Sequence, residues 1–369
     1  MPSQPGGTGS FEKVIHQSPI LDLSLPIEDD WVKDKTVLIT GGASGLGEGF
    51  LRRWAAAGAN IVIGDTSIER GRELVKIVAH ETHNENLHFH YCDVTSWQSQ
   101  VELFKATVAK SPHGGIDCVV ANAGISDTEH SFEHPKDLDA ADPPEPRLPV
   151  MDVNVTGVMY TTHLALFWLQ KNPGSVIADP KNKANDLQRD RHLLLLSSMA
   201  GLFPIPSQAQ YTASKHALVG LFRSLRGLTF QHGVRINMLC PYYIDTPIVS
   251  PLHRVLLAGG ELGKVEDVVR AATRFVADPR VIGRAAIVGP KMDVRQAVDG
   301  RWEVADGPTD QQSEVVEIYA HDFTQVELSV RRIVGLLRRL EQAKGWFGYL
   351  NDLMAAVGSF FWLKKPKKQ

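Results

Sequence analysis

The sequence predicts an α/β fold in which helices cover both faces of a doubly wound, mostly seven-stranded parallel sheet. Two observations lead to this fold class. Short aliphatic and β-branched runs alternate with longer segments of helical periodicity along most of the chain, which is the order of βαβ units. Most of the short runs are continuously apolar, as expected for strands that are buried on both faces.

Each segment in turn fits one element of such a sheet. The strands are predicted at Thr36–Thr40, Asn60–Gly64, Leu87–Tyr91, Asp117–Ala121, Leu193–Leu196, Val234–Leu239 and Ala285–Val288. The helices are predicted at Leu46–Gly58, Ile68–His80, Trp97–Ala109, Val150–Leu169, Gln208–Gln231 and Val265–Ala277. These helices are long enough to cross back over the sheet, so the strands that they connect can lie parallel.

Segments that lack this alternation set the expected domain boundaries. Residues 1–34 are rich in Gly, Pro, Ser and acids, and we expect an N-terminal extension that lies on the surface or is partly disordered. The α/β domain is expected to span residues 35–290, with a polar surface insertion at 172–190. The alternation weakens after residue 290, so residues 291–369 are predicted to form a C-terminal extension.

The last forty residues differ from the rest in charge. Residues 330–369 hold nine Lys and Arg against two acids, a local charge of +7, so the formal charge of −3 leaves −10 for the remainder. Residues 345–363 (GWFGYLNDLMAAVGSFFWL) read as an amphipathic helix followed by a basic end. Such a helix is a candidate for peripheral membrane contact through 345–368, and packing on the catalytic domain or a partner subunit is the more common role.

Composition excludes several classes of protein. The net charge of −3 gives no electrostatic reason to expect nucleic acid as a partner. Cys92, Cys118 and Cys240 have neither the number nor the spacing of a disulfide framework or a zinc site, so we expect no metal and a reducing compartment. The N-terminus lacks the basic and apolar regions of a secretory signal, which favours a cytoplasmic location.

A glycine-rich turn, residues 40–47 (TGGASGLG), joins the first strand to the first helix. Glycine suits this position because the turn needs unusual φ angles and because a pyrophosphate must approach the backbone closely. The N-terminus of the following helix would offer free N–H groups to the phosphates. The sequence therefore predicts a dinucleotide site on a Rossmann-type fold, with expected contacts from Gly41, Ser44, Gly45, Leu46 and Gly47.

Asp65 follows the second strand, where a carboxylate binds the adenosine ribose in such folds. A carboxylate accepts hydrogen bonds from the ribose hydroxyls and repels a 2′-phosphate, and the glycine turn carries no Arg or Lys. NAD is therefore favoured over NADP. The alternative is that Asp65 is an ordinary turn residue.

Several short motifs occur in one order along the chain. They are the T-G-x-x-x-G-x-G spacing at residues 40–47, Asp93-Val94, Asn122-Ala123-Gly124, Asn154, Ser198 thirteen residues before Tyr211, and the Y-x-x-x-K pair of Tyr211 and Lys215. Over residues 35–290 the chain resembles the classical short-chain dehydrogenase/reductase family in its NAD-preferring form. The resemblance implies cofactor contacts from Asp93, Val94, Asn122, Ala123, Gly124, Tyr211, Lys215, Pro241 and Thr246.

The spacing of Tyr211 and Lys215 suits proton transfer, because residues four apart lie on one face of a helix. A nearby ammonium favours the phenolate and lowers a tyrosine pKa from about 10. Tyr211 is then expected to act as general acid/base. The resemblance further implies that Ser198 stabilises the substrate oxygen and that Asn154 holds a water connected to Lys215, while Ser197 is expected to face away.

One residue departs from the family pattern: Tyr242 follows Pro241 where a glycine is usual. It is expected to narrow the site or to supply an aromatic wall. Residues 243–262 would form a mobile substrate lid. A hydrophobic substrate is expected from Leu202, Phe203, Ile205, Ile248, Leu252, Leu256 and Leu257.

Taken together, these residues predict an oxidoreductase that transfers hydride between NAD(H) and a secondary alcohol or its ketone. Two alternatives stay open: an NADPH-dependent carbonyl reductase, and a catalytically silent nucleotide-binding regulatory protein that keeps the fold. The resemblance also implies a homodimer or homotetramer, because in the family the helices that carry Asn154 and Tyr211 pack against a second subunit.

Overall fold

A computed structural model describes residues 17–21, 27, 29–128, 132, 138–182, 188–249, 262–298 and 302–319, together with residues 336, 339 and 343. The chain divides into two compact units. One unit, His16–Ala320, contains the sheet and the candidate site. The other combines Met1–Ile15 with His321–Gln369, and of it only the three isolated residues belong to the described part of the chain.

The large unit is built on one mixed sheet. Its strands are β1 (Thr36–Thr40), β2 (Asn60–Asp65), β3 (Leu87–Tyr91), β4 (Cys118–Ala121), β5 (His192–Leu196), β6 (Arg235–Pro241), β7 (Ala285–Gln296), β8 (Trp302–Val304) and β9 (Gln312–Ile318). The parallel part has the order β3-β2-β1-β4-β5-β6-β7. The order reverses between β1 and β4, so the carboxyl ends of these two strands flank a crevice, the usual ligand position in an open α/β sheet.

Helices cover both faces of this sheet. They are α1 (Gly45–Ala56), α2 (Ile68–Thr82), α3 (Trp97–Lys110), α4 (Val158–Leu169), α5 (Ala209–Arg226) and α6 (Val265–Ala277). The apolar side chains of α1, α2 and α6 pack in one buried cluster, and those of α3, α4 and α5 pack in the other. The predicted doubly wound, Rossmann-like α/β fold is thus confirmed.

The burial of the central strands explains why the sequence predicts them. Every residue of β1, β5 and β6 is buried, which accounts for their largely apolar sequences, and the buried Arg235 and Asn237 of β6 are satisfied by hydrogen bonds. On one face Phe50 stacks on Trp54 with ring centroids 5.0 Å apart. The Trp54 indole N–H donates to Thr273 Oγ1 at 3.0 Å, so α1 and α6 are joined by a buried hydrogen bond as well as by packing.

The sheet extends past the predicted seven strands. β7 continues to Gln296, beyond the predicted end at Val288, and pairs antiparallel with β9 along its outer side and with β8 near its end. The large unit accordingly reaches Ala320 instead of ending at residue 290. Residues 302–318 were assigned to an extension because short antiparallel strands with partly exposed faces give a weak pattern.

Part of the N-terminal extension is also integrated into this unit. Gln17, Ser18 and Leu21 are buried, contrary to the expectation that residues 1–34 lie loosely on the surface. The Ser18 N–H donates to Ile282 O at 3.0 Å, and the Leu21 N–H donates to the Glu317 carboxylate at 2.9 Å. These contacts are made by the backbone, so hydrophobic periodicity carries no sign of them.

The structure describes part of the predicted insertion, whereas the predicted amphipathic tail lies outside the described residues. Asn172, near the start of the insertion, is buried and its amide donates to Asp117 Oδ1 and to Asp190 O, both at 2.9 Å. The proposed amphipathic segment 345–368 lies outside the described residues. Within the described part of the chain, no helix is long and apolar enough to span a bilayer, and no group of three or more His, Cys, Asp or Glu side chains could hold a metal ion.

Candidate active site

A cleft of about 390 Å³ opens at the carboxyl ends of the parallel strands. It is lined by the glycine turn after β1, the ends of β2 to β6 and the first two turns of α5. The predicted site residues that line it are Gly41, Ser44, Gly45, Leu46, Asp65, Asp93, Val94, Asn122, Ala123, Gly124, Ser198, Tyr211, Lys215, Pro241 and Thr246. Residues from distant parts of the sequence therefore meet at one place.

The glycine turn has the backbone geometry that its sequence predicts. Gly41 has φ +65° and Gly45 has φ +56°, a region that disfavours residues with a side chain. A Cβ on Gly41 would lie 2.7 Å from the Cα of Ala123. Gly47 does not line the cleft, because its role is packing: a Cβ there would lie 2.2 Å from Gly41 O.

Asn122 holds this turn in place. Its amide nitrogen donates to Thr40 O at 3.0 Å and to Gly41 O at 2.9 Å. Its backbone N–H donates to Thr40 Oγ1 at 3.1 Å. The asparagine predicted as a cofactor contact thus ties the end of β4 to the glycine turn and fixes the floor of the cleft.

The carboxylate of Asp65 lies at the end of β2, on the wall of the cleft. One oxygen accepts a hydrogen bond from Ala43 N and the other from Ser67 N, each at 3.0 Å. Both donors belong to the backbone, so the negative charge is held beside the glycine turn in a defined orientation. A second carboxylate, on Asp93, accepts from the Thr95 backbone N–H at 2.9 Å and lines the same wall.

Tyr211 and Lys215 lie one turn apart on α5, with the Lys215 Nζ 5.6 Å from the centroid of the Tyr211 ring. The Tyr211 hydroxyl is hydrogen-bonded to the Ser198 side chain. Ser198 Oγ also accepts from Ala200 N at 3.1 Å and donates to Pro241 O at 3.4 Å. The phenol, the serine hydroxyl and the ammonium therefore converge at the inner end of the cleft.

The expected lowering of the Tyr211 pKa does not hold in this structure. Burial raises the pKa of the Tyr211 hydroxyl, and the hydrogen bond with Ser198 opposes that rise. The charge of Lys215 does not offset this rise, because burial lowers the pKa of its ammonium to about 8 and the charge is lost before the phenol ionises. The sequence shows that the two residues are close but not how deeply they are buried.

Lys215 itself is strongly affected by its surroundings. Burial lowers the pKa of its ammonium from 10.5 to about 8. The nearby Cys240 thiol, whose own pKa burial raises to about 12, is the main group that opposes this shift. The lysine charge is thus easily lost, which is the kind of perturbation found at functional sites.

Asn154 lies in a π-helical turn, Asp152–Gly157, that leads into α4. Single π-turns inside α-helices often mark functional positions. Its side-chain amide accepts from Ile125 N at 2.8 Å and donates to Ile125 O at 2.9 Å. Asn154 is fully buried and does not line the cleft itself, so in this structure it fixes the loop after β4.

Ser197 and Ser198 have separate contacts, although both line the cleft and Ser197 was expected to face away from it. Ser197 Oγ donates to the backbone oxygen of Lys215 at 3.0 Å and so joins β5 to α5. The Ser197 hydroxyl is engaged by that backbone oxygen, whereas Ser198 lies against the Tyr211 hydroxyl.

Only part of the predicted apolar pocket lines the cleft. Ile205 and Ile248 do, while Leu202 packs on the core and Phe203 is 56% exposed. Leu252, Leu256 and Leu257, and with them most of the expected lid, lie outside the described residues. The cleft also contains residues that the sequence did not single out: Thr66, Cys92, Ile125, Ser126, Val153, Leu196, Met199, Gln208, Tyr243, Ile244, Pro247 and Val249.

Most of these additional residues lie next to a predicted site residue in the sequence, so their position beside a motif could have identified them. Gln208 is an exception because it precedes α5 in a loop. Its side-chain oxygen accepts from Asp127 N at 3.2 Å and its amide nitrogen donates to Asp127 O at 2.9 Å. This pair of bonds connects the loop after β4 to the start of the helix that carries Tyr211.

Comparison with known proteins agrees with this arrangement. A family model described as short chain dehydrogenase matches residues 35–178 and 188–255, more than half of the 369-residue chain. The chain belongs to the short-chain dehydrogenase family. As a short-chain dehydrogenase it is an oxidoreductase, and the family resemblance inferred from the motifs is confirmed.

Curated relatives extend over the same region of this short-chain dehydrogenase. It is 35% identical to 5′-hydroxyaverantin dehydrogenase of Dothistroma septosporum over 73% of this chain and 90% of the relative. It is 31% identical to NADP-dependent dehydrogenase clz5 of Cochliobolus lunatus over 68% and 86%. It is 26% identical to 15-hydroxyprostaglandin dehydrogenase [NAD(+)] of Mus musculus over 69% and 86%. The relatives' names thus include both nicotinamide cofactors.

Solved structures give the same fold. The 3-ketoacyl-(acyl-carrier-protein) reductase from Brucella melitensis, complexed with NADH, aligns with a TM-score of 0.55 and 25% identity. The alignment covers 70% of this chain and 98% of the reductase. The residues of the present short-chain dehydrogenase that lie outside the alignment therefore have no counterpart in the reductase, which is matched almost completely.

Proposed function

We propose that this short-chain dehydrogenase transfers hydride between NAD(H) and a hydrophobic secondary alcohol or its ketone, with Tyr211 as general acid/base. The observation that carries the proposal is the convergence of the Tyr211 hydroxyl, Ser198 and Lys215 at the inner end of the cleft. A phenol that faces a substrate oxygen can give or take the proton that hydride transfer requires.

The chain's own residues fit a dinucleotide along the rest of the cleft. The glycine turn leaves no room for side chains at Gly41 and Gly47, and a Cβ on Gly45 would lie 3.5 Å from the Cβ of Thr246 on the opposite wall. The start of α1 at Gly45 follows the turn directly, so its N–H groups can bind phosphate. When bound, the nicotinamide supplies or accepts the hydride.

The roles of the protein residues follow from their positions. Tyr211 would hold the substrate oxygen and move a proton between that oxygen and its own phenol. Ser198, already bonded to Tyr211, would donate to the same oxygen and stabilise negative charge on it. Lys215 would hold the nicotinamide ribose, and its ammonium would favour the phenolate once substrate and cofactor exclude water from the cleft.

Asp65 supports NAD as the preferred cofactor. Its carboxylate is oriented by Ala43 N and Ser67 N, both within 3.0 Å, and a fixed negative charge opposes a 2′-phosphate. The relatives named as NADP-dependent support the second candidate, an NADPH-dependent carbonyl reductase. Fluorescence titration with NADH and NADPH distinguishes the two, and equal or tighter NADPH binding would favour the second.

An alcohol substrate is supported by the names of two relatives, which both contain a hydroxylated compound. The hydrophobic character is supported by the cleft itself, whose lining includes Met199, Ile205, Ile248 and Val249. A secondary carbinol would place its oxygen against Tyr211 and Ser198 and its carbon substituents against these side chains.

We propose a homodimer or homotetramer that uses the helices carrying Asn154 and Tyr211. Met159 and Phe167 on α4 and Trp97 on α3 are each more than 40% exposed, which is unusual for large apolar side chains on neighbouring helices. Analytical ultracentrifugation tests this proposal, and a monomer at all concentrations would contradict it.

A cytoplasmic location is proposed because all three cysteines are buried free thiols, as in a reducing compartment. For the tail at 345–368, the two candidate roles predict different results in liposome co-sedimentation. Deletion of residues 340–369 abolishes co-sedimentation if the tail binds membrane and leaves it unchanged if the tail packs on protein.

Tyr211→Phe tests the central proposal. The substitution removes one hydroxyl and keeps the ring, so NADH binding and the unfolding temperature should stay close to those of the unmodified protein. Turnover of a panel of secondary alcohols with NAD should fall at least a thousandfold. Turnover that survives the substitution contradicts the mechanism, and a parent protein that turns over no alcohol or ketone would indicate a catalytically silent binding protein.

A further inference from the structure

We propose that Tyr242 and Tyr243, here named the aromatic corner, select substrates in which an aromatic ring lies next to the carbinol carbon. This inference deepens the proposed function and rests on it. The two tyrosines follow Pro241 at the end of β6 and line the cleft beside Tyr211 and Ser198. Their rings are perpendicular, with centroids 5.1 Å apart.

Tyr242 is held firmly by the sheet. Its N–H donates to Val288 O at 2.7 Å, which continues the pairing of β6 with β7 by one more residue. A Cβ on Gly289 would lie 3.1 Å from the Cβ of Tyr242. Glycine at position 289 therefore avoids a close contact with the Cβ of Tyr242.

Tyr243 is fixed from the other side and is electrostatically close to the reacting group. Its backbone oxygen accepts from Gly263 N at 2.9 Å, so the segment is bound at both ends. Tyr211 and Tyr243 line the same cleft, and Tyr243 contributes to the raised pKa of Tyr211. A substrate held by Tyr211 would therefore occupy the cleft that the Tyr243 ring lines.

Two polar side chains of the cleft other than the tyrosines, Ser126 and Gln208, are engaged with backbone. Ser126 Oγ donates to Ile248 O at 3.4 Å, and both ends of the Gln208 amide bind the backbone of Asp127. Recognition of a substrate body by hydrogen bonds would have to break these contacts. Apolar and ring contacts need no such loss, so they favour a substrate that is apolar and flat.

Two perpendicular rings give a preference for an aromatic over a saturated ring of similar size. Aromatic pairs gain about 0.5–1.5 kcal/mol beyond the burial of their area, because the positive edge of one ring meets the negative face of another. Each tyrosine is therefore expected to contribute a factor of about two to ten in discrimination between aryl and cycloalkyl substrates.

The test compares 1-(2-naphthyl)ethanol with 1-(decahydronaphthalen-2-yl)ethanol, using the full chain and NAD. The unmodified protein should show the higher kcat/KM for the aryl alcohol. Tyr242→Leu and Tyr243→Leu should each lower the aryl-to-cycloalkyl ratio by about two- to tenfold. Tyr242→Phe and Tyr243→Phe keep the rings and should keep the ratio. The Kd for NADH, measured by fluorescence, should change little in all four variants.

The binding of ketones to the NADH-loaded protein tests the preference for aromatic rings even if no turnover is measured. Isothermal titration of 2-acetylnaphthalene and its decahydro analogue into the NADH-loaded protein should show the same preference and the same loss in the leucine variants. Failure of the proposed function would appear as no turnover of any alcohol. Failure of the aromatic corner would appear as equal binding of the two ketones, or as leucine variants that retain the ratio.

Discussion

The ammonium of Lys215 donates a hydrogen bond to the backbone oxygen of Leu196 at 3.2 Å, across the boundary between α5 and β5. This bond places the Lys215 ammonium on the inner wall of the cleft. The ammonium makes its hydrogen bond to the backbone there and not to the Tyr211 hydroxyl. A backbone oxygen only partly offsets the loss of hydration, so the pKa of Lys215 falls to about 8.

Lys215→Met is therefore expected to stabilise the protein while it removes activity. The folded pKa, about 8, lies below the unfolded value of 10.5, so the buried charge destabilises the fold at every pH below about 8. That cost disappears as pH rises towards the unfolded value. Urea unfolding at pH 7 should show a gain of about 1–3 kcal/mol in the variant. The gain should shrink by pH 10, and a large loss of stability at pH 7 would contradict this account.

The direction of catalysis should depend on pH through Tyr211. Because burial raises its pKa, the phenol is protonated at neutral pH and is ready to act as an acid. Ketone reduction should then be fast at pH 7, while alcohol oxidation, which needs the phenolate, should rise steadily with pH. Profiles of kcat/KM for both directions between about pH 6 and 10 test this.

Ser198→Ala should move that oxidation profile to higher pH, since the Ser198 hydrogen bond lowers the Tyr211 pKa. An oxidation rate that is independent of pH would argue against Tyr211 as the base.

The two adjacent serines offer a matched pair of variants. Ser198→Ala should lower kcat about a hundredfold, because it removes a donor expected to stabilise the substrate oxygen. Ser197→Ala should leave kcat within about threefold and cost about 1 kcal/mol of stability, because it removes the bond to Lys215 O and a contact with Cys240, neither of which involves the substrate oxygen. Steady-state kinetics and thermal unfolding of both variants decide the assignment, and reversed effects would exchange the two roles.

Removal of the Asp65 charge should change cofactor preference. Asp65→Asn keeps an acceptor for Ala43 N but loses the repulsion of a 2′-phosphate. The ratio of the NADPH to the NADH dissociation constant should fall at least tenfold, about 1.4 kcal/mol. Asp93→Asn serves as the control because it lines the same wall and is expected to weaken both cofactors alike. An unchanged ratio in Asp65→Asn would remove the argument for NAD.

A buried ion pair far from the chemistry should dominate stability. The Arg235 guanidinium is fully buried and binds Asp190 at 2.6 Å, with further bonds to backbone oxygens such as Phe275 O. Asp190→Asn leaves that charge without its counterion and should cost about 3–5 kcal/mol. The half-exposed pair of Arg280 and Asp278 is the control, and Asp278→Asn should cost less than about 1 kcal/mol. Equal losses from the two variants in chemical denaturation would contradict this ranking.

The sequence was most informative where one residue type is physically required. Continuous apolar strands such as β5 and the positive φ of Gly41 leave few alternatives, so the parallel sheet and the glycine turn could be predicted. The spacing of Tyr211 and Lys215 likewise follows from the helical repeat. Each of these features depends on local sequence alone.

Features that depend on a distant partner were not predictable in the same way. β9 is stabilised by its pairing with β7, and the Leu21 N–H by the side chain of Glu317, so neither segment carries a pattern of its own. The pKa of Tyr211 depends on how deeply the ring is buried and on its hydrogen bond with Ser198. Sequence spacing specifies neither quantity.

The antiparallel strand β9 also limits how copies of this protein can associate. Because β6 and β9 take up the hydrogen-bonding groups on both sides of Ala285–Val288, the last parallel strand has none left for a neighbouring molecule. Main-chain pairing with another molecule at this end of the sheet would therefore have to use β9 instead of β7.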